Sequence, residues 1–297
     1  MSVEFVMWIG FILASYSVVG NDVIQTLGTF LTSNEKRVKW YVLWAFASSI
    51  MIYALVNGYL NNDVDYGRLD KFDLSSFTYS WYYLLPPLVL LFITRSGIPV
   101  STTFMVLTLF SLSEIPGDLN SMIGSVFDGE AKLGGMIQKS LIGYVIAFSS
   151  AIIIYLGITR LTEKRFLNNP LTEQYRPLWI GLQWLSTGFL WFQWLTQDLA
   201  NIYVYLQGGV DLSVVEFAVS LIILVGLLGY IFYQSGGRVQ DVVRAKTNTD
   251  DIRSATFIDF IYGIILYIFK YNYLGLFEAK LPASNPINTQ VVLIGSL

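Results

Sequence analysis

"VVGNDVIQTLGT" (residues 18–29) continues an apolar run, "MWIGFILASYSVV" (7–19), that by itself reads as the middle of a membrane helix. Asn21, Asp22 and Gln25 therefore stand at a depth where polar groups are unfavourable. Whether this stretch is a surface turn or part of a span decides the fold. The whole chain favours a span: 54% of its 297 residues are hydrophobic and 13% are charged, against about 25% charge in soluble domains. A spanning helix needs about 20 mostly apolar residues, and windows at 3–19, 39–58, 80–94, 140–159, 178–195, 212–233 and 255–276 qualify. The reading is an all-α integral membrane protein with no separate soluble domain. Glu4 stands where a secretory leader would carry a basic residue, and no small-residue cleavage site follows, so the first window is expected to remain a helix.

Cysteine and histidine are both absent. Disulfides, thiolate metal sites, histidine proton relays and His-ligated zinc are thereby excluded. There is also no Walker-type "GxxxxGK", no nucleophile elbow and no basic stripe suited to nucleic acid. An enzyme is not expected, nor a nucleic-acid partner. The aromatic residues, such as Trp81, Tyr82, Trp191 and Trp194, read as interfacial belts and packing. Arg95 reads equally as a group near an anion or as a side chain snorkelling to the interface.

Charge in the loops sets the orientation. Lys36, Arg37 and Lys39 follow the first span, while "NNDVDYGRLDKFD" (61–73) after the second is net acidic. The positive-inside rule then places the N-terminus outside. The acidic stretch 114–139 falls outside, the basic 159–177 inside, the turn with Asp211 and Glu216 outside, and 236–253 inside.

The two sides of the basic linker resemble each other. "NDVIQ" (21–25) and "QDLAN" (197–201) share an amide–Asp–aliphatic–aliphatic–amide pattern with the amides exchanged, and "PVSTT" (99–103) and "PINTQ" (286–290) follow in the same order. By the loop charges, the Asp22 segment runs from outside to inside and the Asp198 segment from inside to outside. The expected organisation is an inverted repeat, residues 1–160 and 178–297 joined by a cytoplasmic linker at 161–177, with broken helices and two re-entrant hairpins. Such repeats are typical of secondary transporters, whose sites lie at the repeat interface. Helix 140–159 closes the first half, and a counterpart closing the second half is expected to be lost or supplied from elsewhere.

A carboxylate in hydrocarbon costs at least roughly 2.5–3.5 kcal/mol and is usually retained for an ion or substrate path. Gly20 and Gly28 flank the first motif and permit the helix to open. Opened carbonyls, a carboxylate and an amide oxygen are the hard ligands that small cations prefer. The plainer reading of either Asp alone is a helix–helix hydrogen bond. "GIPVSTT" reads as a helix start with proline at N1, and its hydroxyls and free N–H groups make a neutral nest for a tetrahedral oxyanion. Taken alone it reads first as a Ser/Thr-capped helix, and the anion reading gains from the recurrence of the cap at Pro286, Asn288 and Thr289.

At these residues the chain resembles the inorganic phosphate transporter (PiT) family. That family's two signature copies read approximately G-A-N-D-V-A-N-x-x-G-T, each followed later by P-V-S-T-T-H. "VGNDVIQTLGT" keeps Asn21, Asp22, Val23, Gly28 and Thr29; "TQDLANIYVYL" keeps Asp198, Ala200 and Asn201; "GIPVSTTF" matches except for Phe104; "NPINTQVVLIG" is a weaker copy. The resemblance implies a cation-coupled phosphate symporter of the cell (inner or plasma) membrane, working by alternating access. By the same resemblance Ser101, Thr102, Thr103, Asn288, Thr289 and Gln290 would hold the anion. Asn21, Asp22, Gln25, Gln197, Asp198 and Asn201 would hold the coupling cation, sodium or proton, with Asp22 and Asp198 ligating a sodium ion. No other cofactor is expected. The partners are inorganic phosphate and the lipid bilayer, and a homo-oligomer fits such a scaffold. The alternatives are a permease for sulfate or another oxyanion, and a transport-inactive structural membrane subunit.

Overall fold

The computed structural model describes residues 2–70, 72, 74, 79–98, 101–113, 160–236 and 251–271, together with 141, 145, 149, 152 and 156. Every regular element among them is helical. Helix α1 (Val3–Val18) passes through a π-turn (Val19–Val23) into α2 (Ile24–Asn34), and α3 (Trp40–Leu60) follows. A 3₁₀ turn (Trp81–Leu84) leads into α4 (Leu85–Arg95), and α5 is Thr102–Ser113. After α6 (Arg160–Asn168) come α7 (Arg176–Asp198), the short α8 (Ala200–Tyr203) and a 3₁₀ stretch (Val204–Gly209). Helices α9 (Val214–Tyr233) and α10 (Ile252–Lys270) complete the described fold.

Three helical stretches are long and apolar enough to cross a membrane: Val3–Asn34, Trp40–Leu60 and Val214–Tyr233. The first has 32 residues, about 48 Å at 1.5 Å per residue, well over the ~30 Å of a hydrocarbon core. Their outward faces carry large apolar side chains such as Tyr53, Val215 and Ile222. The window at 80–94 is helical over Trp81–Arg95, about 22 Å, less than a full crossing. The windows at 178–195 and 255–276 are met by α7 and by α10, the latter as far as Lys270. Helix 140–159, the acidic stretch 114–139 and the tail from 272 lie outside the described residues, apart from a few positions in the first.

The helix starts follow local chemistry. Ser213 and Glu216 cap α9 reciprocally, with Glu216 N–H on Ser213 Oγ at 3.2 Å and Ser213 N–H on Glu216 Oε2 at 2.9 Å. Proline occupies the first turn of both α4 and α7, where its missing N–H has no partner to lose. Close packing then relies on small residues: a Cβ on Gly10 would sit 2.2 Å from the Tyr205 ring, and one on Gly263 2.7 Å from Phe189. Helix α10 thereby lies along α7, α3 packs on α9, and α1 on α4. Trp44 ties α3 to α9 by donating to the Val225 carbonyl at 3.0 Å, and Tyr59 stacks on Phe217 at 4.1 Å.

Two contacts join segments at the helix ends. Arg253, in the first turn of α10, donates to the carbonyls of Asn169 and Phe166 at 2.8 and 3.0 Å, which ties the start of α10 to the end of α6 at one end. Tyr59 donates to the Leu212 carbonyl at 3.2 Å, which joins the start of the acidic 61–73 loop to the turn at 211–213 at another.

Candidate functional site

The first polar motif is not a broken helix. Residues Val19–Val23 widen into a π-turn, and the axis continues through Gly20 and Gly28 without the opening that the glycines allow. A π-bulge inserts one residue and shifts the phase of the helix, and such bulges often sit at functional sites. Here the consecutive residues Asn21 and Asp22 are both buried, and Asn21 Nδ2 donates to Asp22 Oδ1 at 2.8 Å. Gln25, one turn on and exposed among the described residues, donates to Asn21 Oδ1 at 3.2 Å.

The second motif closes α7. The helix yields at Leu199, resumes for one turn, and departs from helical geometry at Leu206, Gln207 (φ 53°) and Gly208 (φ 76°). Leu199, between Asp198 and Asn201, keeps helical φ and ψ, so the larger departure comes after both of them. Gln197 donates to the Gln193 carbonyl of its own helix at 3.2 Å, so its amide is committed away from the other motif residues.

Between the two motifs stands the start of α5. Gly97 (φ 78°) turns the chain after α4. The Ser101 carbonyl accepts the Met105 N–H at 3.2 Å, which makes Ser101 the cap and Thr102 the first helical residue. The sequence reading put Pro99 at N1; the helix begins three residues later, where the hydroxyls themselves form the first turn. Thr102 and Thr103 are both buried.

These three segments converge. Thr102 Oγ1 donates a short hydrogen bond to Asp22 Oδ2, and Thr103 Oγ1 donates to Asp198 Oδ1 at 3.2 Å. Asn201 Nδ2 lies 2.9 Å from Asp198 Oδ1, 2.9 Å from Thr103 Oγ1 and 3.2 Å from Thr102 Oγ1, so one amide spans both hydroxyls. Asn201 Oδ1 is buried and has no hydrogen-bond partner among the described residues. A buried acceptor left unmatched costs about 1–3 kcal/mol. With the two carboxylates it makes an acceptor-rich cluster, and such hard oxygen groups suit a small cation.

Of the twelve residues singled out in the sequence, Asn21, Asp22, Gln25, Thr102, Thr103, Asp198 and Asn201 are joined in one hydrogen-bonded cluster. Ser101 adjoins it through the chain and Gln197 turns away. Asn288, Thr289 and Gln290 lie outside the described residues.

Three contributors were not anticipated. Arg68, buried on the 61–73 loop, is an electrostatic neighbour of Asp198 and of Asp65; burial pulls its guanidinium below the ordinary value while those carboxylates oppose the change. Tyr262, on α10, is an electrostatic neighbour of both Asp22 and Asp198. Asp259, one turn earlier on α10, is completely buried and accepts from Thr29 and Thr187. A carboxylate inside "ATFIDFIYGIILYIF" (255–269) was as visible as Asp22, but it has no repeat-related partner to draw attention to it.

Comparison of the chain with models of known protein families, with curated proteins and with solved structures finds no match.

Proposed function

We propose that this chain is a membrane transporter that moves inorganic phosphate together with a small cation, on an inverted-repeat scaffold with its N-terminus outside. The observation that carries the reading is the meeting of Thr102 and Thr103, at the start of one helix, with Asp22 and Asp198 from two others. A purely structural polar contact needs one such pair. Here hydroxyl donors suited to an oxyanion and carboxylates suited to a cation occupy the same few ångströms.

The geometry also supplies a reason for coupling. Each threonine hydroxyl has a single hydrogen, now directed at a carboxylate. To bind an oxyanion the hydroxyls turn their hydrogens to it, which takes one donor from each of Asp22 and Asp198 and leaves them the amides of Asn21 and Asn201. A hydrogen bond to a charged group contributes roughly 1.5–3 kcal/mol, so anion binding without a cation is opposed by a few kcal/mol. Asp22, Asp198 and Asn201 Oδ1 are the groups that would hold the compensating cation, and the charges favour one: the Arg68 guanidinium is an electrostatic neighbour of Asp198 and is shared with Asp65. The anion and the cation then load as a pair. Phosphate is preferred to sulfate because its monoprotonated form donates a hydrogen bond to a carboxylate, which sulfate at neutral pH cannot do.

The test is radiolabelled phosphate uptake into proteoliposomes holding the purified chain, with and without an inward sodium or proton gradient and with sulfate as competitor. Gradient-driven uptake blocked by phosphate and not by sulfate supports the reading. No uptake from folded protein under either gradient rejects it and leaves a structural membrane subunit as the better description.

A further inference from the structure

The polar contacts do not stop at Asp22. Seven residues further along the same helix, about 10 Å at 1.5 Å per residue, Thr29 donates to Oδ1 of Asp259, and Thr187 of α7 donates to its Oδ2. Three helices thus meet on one carboxylate that has no exposed surface and makes no ion pair among the described residues. Tyr262, the next turn of α10, is an electrostatic neighbour of Asp22 and Asp198, so one helix lies near both places. Beyond Thr29 the line goes on: Ser33 Oγ donates to the Thr29 carbonyl at 2.8 Å, Gln183 donates to Ser33 Oγ, and Asn34 Nδ2 donates to Gln183 Oε1 at 2.9 Å. This polar line reaches the end of α2.

We propose that Asp259, Thr29 and Thr187 form a second monovalent-cation site, separate from the Asp22–Asp198 cluster, which takes a sodium-sized ion. It rests on the transport reading for its purpose, a station between the main cluster and the inner end of α2, but its binding chemistry stands by itself. One carboxylate supplies one negative charge, which a monovalent ion balances and a divalent ion does not. Each threonine can redirect its hydroxyl hydrogen to the carbonyl four residues back on its own helix. Two carboxylate and two hydroxyl oxygens from three helices are then available as ligands. Hard oxygen donors of this kind suit small alkali and alkaline-earth cations.

Equilibrium binding of radioactive sodium to the detergent-purified chain in choline buffer tests the site without requiring transport. The expected result is that Asp259→Asn, eluting as a single species like the wild type, binds one sodium equivalent fewer per chain. The double variant Asp22→Asn/Asp198→Asn should retain that equivalent. Thr187→Val, which keeps the side-chain shape and removes one ligand, should weaken the Asp259 equivalent by roughly tenfold, and it serves if Asp259→Asn does not fold. Sodium binding by folded Asp259→Asn or Thr187→Val that matches the wild type in amount and affinity overturns the proposal, and so does a wild-type chain that binds no sodium. A chain that binds sodium at Asp259 yet takes up no phosphate would refute the transport reading alone.

Discussion

Two threonine hydroxyls let Asp22 and Asp198 remain buried, and each does so for one carboxylate. Removing a hydroxyl leaves a buried charge short of a donor, while replacing threonine by serine keeps the donor and loses only a methyl group. Thr102→Val should therefore lower phosphate uptake by at least roughly tenfold and Thr102→Ser should restore most of it, since one charge-assisted hydrogen bond is worth about 1.5–3 kcal/mol. Equal uptake in the valine and serine variants would mean that the hydroxyl does not participate. Asp22→Asn keeps the shape and the Thr102 contact but removes the charge, so it should abolish gradient-coupled uptake while the protein still elutes as a folded species. Uptake retained in that variant would sink the cation assignment.

At the scale of elements, the bundle depends on glycines that let helices and aromatic rings touch. A methyl group on Gly10 would enter the Tyr205 ring, whose hydroxyl donates to the Tyr83 carbonyl at 2.9 Å and so holds the ring in place. Gly10→Ala should destabilise the protein by about 1–3 kcal/mol, the usual penalty for overpacking. Gly181, on α7, has none of the described residues within 4 Å of its added Cβ, and Gly181→Ala should raise stability by up to about 1 kcal/mol through helix propensity alone. Thermal unfolding in detergent followed by tryptophan fluorescence compares the two; a Gly10→Ala midpoint at or above that of the wild type would refute the packing argument. The π-turn at Val19–Val23 belongs to this scale as well, because it brings two consecutive polar side chains inside while the helix stays unbroken.

The whole molecule folds its acidic loop inward. Asp65, Arg68 and Leu69 are buried, Tyr66 donates to the Ala54 carbonyl at 2.7 Å, and the Lys270 ammonium sits 5.1 Å from the Tyr66 ring. Burial raises the Asp65 carboxyl from its ordinary 3.8 to about 7, although the Leu69 N–H on Oδ2 at 2.6 Å favours the ion. A raised carboxyl contributes its stability below the ordinary value and loses it as pH climbs through the folded one. Docking of the loop should therefore be firmest below about pH 4 and weaken up to about 7. Amide exchange at Gly67 and Leu69, corrected for intrinsic rates, should show this trend in the wild type and not in Asp65→Asn; the same trend in both would exclude Asp65 as its source. The cysteine-free sequence allows a second test at this scale. Asn61 and Lys36 are both exposed, at opposite ends of α3 or just before it. In intact cells Asn61→Cys should react with an impermeant maleimide, and Lys36→Cys only after permeabilisation. Reaction of both from one side would refute a crossing by Trp40–Leu60.

Much of the candidate site was legible in the chain because hydrocarbon tolerates few polar side chains. Asn21, Asp22, Asp198, Asn201, Thr102 and Thr103 stood out by type and place, and apolar length alone marked Trp40–Leu60 and Val214–Tyr233 as spans. Which polar groups meet depends on how helices cross, and local pattern carries no record of that. Thr102 finds Asp22 across 80 residues, Thr103 finds Asp198 across 95, and Thr29 finds Asp259 across 230. Arg68 and Asp65 read as part of a solvated acidic loop, since composition cannot show that a loop turns back into the bundle. The glycines at 20 and 28 permitted an open helix, but a continuous helix with one π-turn keeps its backbone groups bonded. The sequence by itself determined the solvent each segment suits and the chemistry it carries. Only the tertiary structure decided the pairings, because a buried donor and acceptor are matched by packing that the entire bundle imposes.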